Sequence, residues 1–420
     1  MAERMEGITR EIHRAGESAI CSEYYVADAA ELAERLIGRF AGQVKLIYLD
    51  PPFQTGRVFE ARVRVGEKEW RSGHGSLTLP AYEDRLSRDD YLLLMRRTLT
   101  ACKQLLTADG LIFLHIDWRM HPYLRLLMDE IFGESNFLNE IVWSYQTGGS
   151  ARKYFPRKHD NILMYAKTKN YDFHILDVAE PSVGGHENHM KRHVDADGRV
   201  YRSIRSGGRV YTYYDDDPVV PGDVWSDVSH LQQKDPRRTG YDTQKPLKLL
   251  ERIVKCASRP GDIVLDLFSG SGTTFEAAYL GNRRFIGGDS SPLAMQYARR
   301  RTEGAACEFT HPAFSGNPAC DAYAERGVAF TRVNLRSFAL EEGVLARELP
   351  GLDAVDSWAA GYVRDGAFHF YAGETRSREK PSLKGTALVP VYEGELAIRV
   401  SDVTGRDFYY RVPESAGLVV

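Results

Sequence analysis

The run Val44 to Leu49 is apolar apart from Lys45 and stops on Asp50-Pro51-Pro52-Phe53. A short run of this kind, closed by prolines, reads as a buried strand followed by a stiff turn. The end of such a strand is a narrow place for an acid, two prolines and a ring. The carboxylate can accept a hydrogen bond from an amino group, and the ring can lie against a flat heterocycle. Much later a second strand, Asp262 to Leu267, runs into Ser269-Gly270-Ser271-Gly272 and then a helix from Thr273.

Around these two units the chain alternates strand and helix. Ile20 to Val26 is expected as a strand, Ala29 to Phe40 as a helix and Arg88 to Leu106 as a helix opened by Ser87 with Asp89 and Asp90. Gly110 to Ile116 is a strand, Met120 to Ile131 a helix, and Ile141 to Tyr145 and Asn161 to Tyr165 are strands. Lys245 to Cys256 and Ser291 to Arg301 are helices. Gln54 to Pro80, with its several glycines, reads as a mobile loop or lid. The alternation predicts an α/β fold with a mostly parallel, doubly wound, Rossmann-like sheet. Short strand patterns from Gly327 onward predict a separate, small β-rich unit. The expected division is 1–146 and 239–304 for the two halves of the α/β domain, 147–238 for an insertion and 305–420 for the β-rich tail.

The stretch Asp262 to Asp289 has the logic of a nucleoside site. Gly270 and Gly272 permit a tight turn and close approach of a ligand, and the helix from Thr273 aims free N–H groups at it. Asp289, at the end of the next strand, can accept ribose hydroxyls. No Gly-Lys-Ser/Thr follows the loop, so it is not a phosphate-cradling P-loop. Asp28, at another strand end, either neighbours this ligand or caps the following helix. His115 and Asp117 are expected to shape the pocket floor or to hydrogen-bond backbone rather than to act as an acid–base pair.

Taken together, Asp50-Pro51-Pro52-Phe53, Asp242-Thr243-Gln244-Lys245-Pro246 and Asp266 to Thr274 resemble the motifs of S-adenosylmethionine-dependent DNA amino-methyltransferases. The order, with the tetrapeptide first and the glycine loop last, is similar to the β-class adenine-N6 and cytosine-N4 enzymes, including modification subunits of type III restriction systems. Tyr82-Glu83-Asp84-Arg85, Gly110 to Trp118, Phe132-Gly133-Glu134 and Ile141-Val142-Trp143 extend the likeness over roughly residues 20 to 303. It implies catalytic roles for Asp50, Pro51, Pro52 and Phe53. It implies a cofactor site of Asp28, Thr243, Gln244, Lys245, Pro246, Asp266, Phe268, Gly270, Gly272, Thr273, Thr274 and Asp289. The target base is expected to be flipped out of duplex DNA. The leading Asp favours adenine. Cytosine-N4 methylation and a non-catalytic DNA-binding scaffold are the competing readings.

The net charge is −3, so any nucleic-acid surface has to be local. Arg152, Lys153, Arg157 and Lys158 form one basic cluster; Arg202, Arg205 and Arg209, followed by Tyr211, form another. Both suit phosphate and base contacts, although Asp215 to Asp217 oppose contact by the whole region. Five scattered cysteines suit a reducing cytosol, and no metal set is expected, His186, His189 and His193 included. No apolar run spans a bilayer. A homodimer and a separate restriction subunit are the partners the resemblance suggests.

Overall fold

A computed structural model describes residues 1–14, 22–65, 76–145, 151–180, 191–232, 235, 237–341, 343–377 and 380–413. Ile20, Cys21, His186 and His189 lie outside them. Two short strands, β1 (Glu3–Met5) and β2 (Arg10–His13), precede β3 (Ser22–Val26). Helix α1 (Ala29–Phe40) starts where Asp28 accepts from the N–H groups of Ala30 and Glu31, satisfying donors that a first turn leaves open. Strand β4 (Val44–Leu49) is buried throughout. Leu46 and Tyr48 join one apolar cluster, Ile47 and Leu49 another, as a strand covered on both faces requires.

Strands β5 (Val58–Arg64) and β6 (Ser76–Glu83) pair as an antiparallel ribbon. Then follow α2 (Arg88–Leu105), β7 (Leu106–Ile116), α3 (His121–Phe132), β8 (Phe137–Ser144) and β9 (His159–Ala166). The insertion carries β10 (Arg192–Val194), β11 (Val200–Ser206) and β12 (Arg209–Tyr214) as a three-stranded sheet of its own. After β13 (Val224–Trp225) come α4 (Leu247–Ala257), β14 (Ile263–Asp266), α5 (Thr273–Leu280), β15 (Arg284–Asp289), α6 (Pro292–Arg301) and β16 (Cys307–Thr310). The tail holds β17 (Ala319–Arg326), β18 (Phe330–Ala339), α7 (Val344–Glu348), β19 (Val355–Arg364), β20 (Ala367–Thr375), β21 (Thr386–Pro390), β22 (Glu395–Asp402) and β23 (Asp407–Arg411).

The centre of the main sheet runs β16-β3-β15-β14-β4-β7, all parallel. Helices α1, α2 and α3 cover one face, and α4 and α5 the other. Strands distant in sequence, β14 and β4, are therefore neighbours, and their carboxyl ends open on the same edge. In open α/β sheets that edge is where ligands bind.

Two expectations need correction. Gln54–Pro80 is not a loop throughout: most of its described residues belong to the β5–β6 ribbon. Ala61 and Val63 alternate with Glu60, Arg62 and Arg64, and with Ala81 they are buried in the apolar cluster they share with the tail. The glycines at 66, 73 and 75 lie outside the described residues. The tail is also not set apart, because β1, β23, β22, β19 and β20 continue the main sheet through β2 and β16. A buried ion cluster ties them: Arg299 Nη2 lies 2.6 Å from Glu11 Oε2 and 2.7 Å from Asp407 Oδ2, with Arg399 beside both acids. Charges this deep are stable only when paired.

Candidate active site

Five acids stand at or just past the ends of adjacent parallel strands: Asp28 after β3, Asp289 on β15, Asp266 on β14, Asp50 after β4 and Asp117 after β7. Side chains on neighbouring strands are about 5 Å apart, so the acids form a row. Four of them, Asp28, Asp50, Asp266 and Asp289, line one cavity of about 460 Å³. That volume falls in the range of small-molecule sites. Lys245 is the only lysine or arginine on its wall, among the described residues. The tetrapeptide and the glycine loop thus share a single cavity.

Burial raises the Asp289 carboxyl above its ordinary range, opposed by N–H groups of Ser291, Gly270 and Ser290. Its oxygens accept from Gly270 N and Ser291 N, each at 2.9 Å. Asp266 is pushed up to about 7, mainly by burial and further by Asp50 and Asp289, against hydrogen bonds from Thr274 and Phe268 N. Gly270 adopts φ +48°, and a Cβ there would sit 3.3 Å from the Tyr241 ring. A side chain would close the cavity from that side.

Lys245 Nζ donates to Asp50 Oδ2, while Asp50 Oδ1 is buried without a partner. A buried acceptor of this kind is costly unless a donor reaches it. Lys245 also lies 5.3 Å from the centre of the Phe53 ring, and its carbonyl accepts from the Thr273 hydroxyl at 3.3 Å. Phe53 stacks on His115 with ring centres 6.0 Å apart. His115 is held by the Tyr48 hydroxyl at 2.8 Å and Asp160 at 3.3 Å. It therefore backs Phe53 and is not itself on the cavity wall. Asp117, also off the cavity wall, accepts from Arg119 N at 2.8 Å, the backbone bond expected as its other role, and pairs with the Arg119 guanidinium.

Several expected residues reach the cavity wall: Asp28, Asp50, Pro52, Thr243, Lys245, Asp266, Phe268, Gly270, Thr273, Thr274 and Asp289. Pro51, Phe53, Gln244, Pro246 and Gly272 are not on it. Gln244 is buried and fixes its own segment, accepting from Thr239 N and donating to the Arg237 carbonyl. Asp28 is both wall and helix cap. Sequence reasoning missed Tyr48, Tyr241 and Thr404 and gave no site role to Tyr82, all on the wall. It also gave no role to Asp84, whose buried carboxylate accepts from Gln54 N at 2.9 Å and Thr55 N at 2.7 Å. Those bonds hold Gln54 at φ +55° directly after the tetrapeptide, a strained conformation that surroundings have to enforce.

The expected DNA-facing residues divide. Arg205, Arg209 and Tyr211 on the β11–β12 hairpin are exposed, as are Arg152, Lys153 and Arg157; Lys158 is half-buried. Arg157 packs 3.8 Å from the centre of the Trp118 ring, beside the end of β7. Arg202 departs from expectation: its side chain is 13% exposed and paired with Asp215. The acidic run similarly engages Arg192 and Arg199. Short acidic loops next to arginines satisfy them intramolecularly, which removes them from a free phosphate-binding surface. His193 stacks on Tyr201. Among the described residues, no helix is long and apolar enough to cross a membrane.

The profile of the DNA methylase family matches residues 44–300, and the chain belongs to that family. S-adenosylmethionine is the family's methyl donor. The type II methyltransferase M.EcaI of Enterobacter cloacae is 31% identical over 305 residues, covering 62% of this chain and 64% of that enzyme. The DNA adenine methyltransferase YhdJ of Escherichia coli is 27% identical, over 63% of this chain and 77% of YhdJ. The StyLTI Mod subunit of a type III restriction-modification enzyme from Salmonella typhimurium is 23% identical over 63% of this chain and 51% of its own length. The structure of a Thermus thermophilus protein named a "putative DNA modification methylase", complexed with S-adenosyl-L-methionine, superposes with a TM-score of 0.42 at 19% identity, covering 70% of this chain and all of that one.

The donor set fits this cofactor. Four acids, two of them raised by burial, face one ammonium group, so the cavity favours a ligand with positive charge, which a sulfonium and an α-ammonium provide. The Tyr241 hydroxyl is buried and unpartnered at the same wall.

Proposed function

We propose that the protein methylates the N6 amine of an adenine flipped out of duplex DNA at a specific site. The observation that carries this is the unpartnered, buried Asp50 Oδ1 in the cavity that also holds the glycine loop. An exocyclic amine is a weak nucleophile because its lone pair is delocalised into the ring. Asp50 Oδ1 accepts one amino hydrogen and the Pro51 carbonyl the other, favouring the tetrahedral nitrogen of the transition state over the planar ground state. Lys245 keeps the carboxylate oriented. Phe53, backed by His115, stacks on the extruded base, a contact worth about 1–3 kcal/mol.

When bound, S-adenosylmethionine supplies a methyl group already activated on a sulfonium. Asp289 holds the ribose end; Asp266, Phe268, Gly270, Thr273 and Thr274 form the loop around the nucleoside, and Thr243 and Lys245 face the methionine part. The ribbon residues Pro80 and Tyr82, with Tyr241, roof the cavity and exclude water. The aspartate that leads the tetrapeptide supports adenine over cytosine. Arg205, Arg209, Tyr211 and the Arg152–Lys158 cluster present the surface for the phosphates, and residues 147–238 act as the recognition insertion.

Single-molecule sequencing of DNA from cells expressing the protein tests the reading. N6-methyladenine within one short motif is the expected result. N4-methylcytosine would move the assignment to the cytosine enzymes. Cofactor binding with no modified base of either kind would leave a DNA-binding scaffold.

A further inference from the structure

The family match ends at residue 300, yet the cavity has a wall from beyond it. Thr404, in the turn between β22 and β23, lines the cofactor cavity beside Ser290, Ser291, Pro292 and Leu293. We propose that this turn of the C-terminal region is a working part of the cofactor site, setting affinity for the nucleoside end of S-adenosylmethionine. The inference rests on that cofactor occupying the cavity.

The turn is rigid. Asp402 Oδ1 accepts from Thr404 N at 2.8 Å, the Thr404 hydroxyl at 2.6 Å and Arg406 N at 3.1 Å, and Asp402 Oδ2 takes Arg406 Nε at 2.9 Å. It presses on the first turn of α6 with no room to spare. A Cβ on Gly405, at φ +94°, would come within 2.7 Å of Leu293 N and 2.8 Å of Pro292 C. The buried Gln296 side chain donates to the Asp402 carbonyl at 2.9 Å, joining the two from the helix side.

The start of α6 carries the ribose-end geometry, because Ser291 N bonds to Asp289 Oδ1 and Asp289 Oδ2 in turn holds Gly270 N. Pressure on Pro292 and Leu293 is thereby transmitted to Asp289 and the glycine loop. The roof depends on the same region: Ala81 and Tyr241 on the cavity wall share one apolar cluster with Trp358, Ile398, Val403 and Phe408 of the tail. Gly405 and Gln296 are positioning residues in this arrangement.

Two glycine variants of the full chain separate this contact from general damage to the tail. Gly405→Val has to push the turn off α6. Gly366→Val, in the β19–β20 turn at φ +71°, is strained in the same way but would meet nothing within 4 Å. S-adenosylmethionine affinity is read by isothermal titration, and kcat and KM are read on unmodified plasmid DNA. Gly405→Val is expected to raise Kd and the KM for the cofactor about tenfold or more, with kcat at saturating cofactor and the KM for DNA unchanged. Gly366→Val is expected to bind as the wild type does. If Gly405→Val does not fold, Gln296→Met is expected to raise Kd severalfold and carries the same test. A wild-type Kd in Gly405→Val or, where that variant does not fold, in Gln296→Met overturns the proposal, as does an equal loss in Gly366→Val. A wild-type protein that binds no cofactor overturns the cofactor reading itself, and this proposal with it.

Discussion

The cavity at the strand ends and the exposed face of the insertion both rely on charge, but under opposite conditions. In the cavity, Asp50, Asp266 and Asp289 are largely shut off from water, so each lone pair needs a named partner and each vacancy has consequences. On the β11–β12 hairpin, Arg205 and Arg209 stand in solvent, where a single charge is screened and its partner interchangeable. Chemistry needs the first environment; tracking a phosphate backbone needs the second. Single substitutions are therefore expected to be severe in the cavity and graded on the hairpin.

The sharpest way to break this contrast is Asp50→Ala. Transfer to DNA should fall by about a thousandfold or more, the scale of a lost transition-state contact, while cofactor Kd stays within about twofold. Turnover near the wild-type rate would remove Asp50 from the chemistry. Next, Gly270→Val should weaken cofactor binding by about a hundredfold, since its side chain would enter the cavity against Tyr241. Equilibrium binding checks this, with unchanged DNA affinity in the absence of cofactor as the companion result. Phe53→Ala should cost about tenfold to a hundredfold in kcat/KM on duplex DNA. Part of that should return on a substrate whose target base is unpaired, because a base already out of the stack is cheaper to capture.

Asp266 gives a pH test. Burial pushes its carboxyl up to about 7, and a cationic ligand favours the ionised form. Affinity should therefore fall as pH drops from about 8 to about 6, approaching about tenfold per unit below the carboxyl's own value. Asp266→Asn should flatten that slope. Stability runs the other way: a carboxyl raised from about 4 when unfolded makes the cofactor-free fold lose stability as pH rises from about 4 to about 7. Thermal unfolding with and without cofactor across that window separates the two effects. The smallest effects belong to the surface. Arg205→Ala and Arg209→Ala should each lower the salt slope of DNA binding by roughly 0.9 and leave kcat alone, whereas Arg202→Ala, already paired with Asp215, should change the slope little.

The chain by itself determined the local units. The strand ending on Asp50-Pro51-Pro52-Phe53, the helix capped by Asp28 and the turn through Gly270 are set by residues close in sequence, through periodicity, proline and glycine geometry and caps. The alternating Phe59, Ala61, Val63 and Leu77, Leu79, Ala81 were also there to be read as a ribbon; neighbouring glycines hid them. Tertiary structure alone decided which units meet. It placed β14 beside β4, so that Lys245 pairs with Asp50; it buried Asp84 under Gln54 and matched Arg202 to Asp215. It also brought Thr404 to the cavity wall. Such pairings depend on sheet order and on side chains far apart in the chain, and no local spacing encodes a contact whose two halves are fixed only when the whole sheet has assembled.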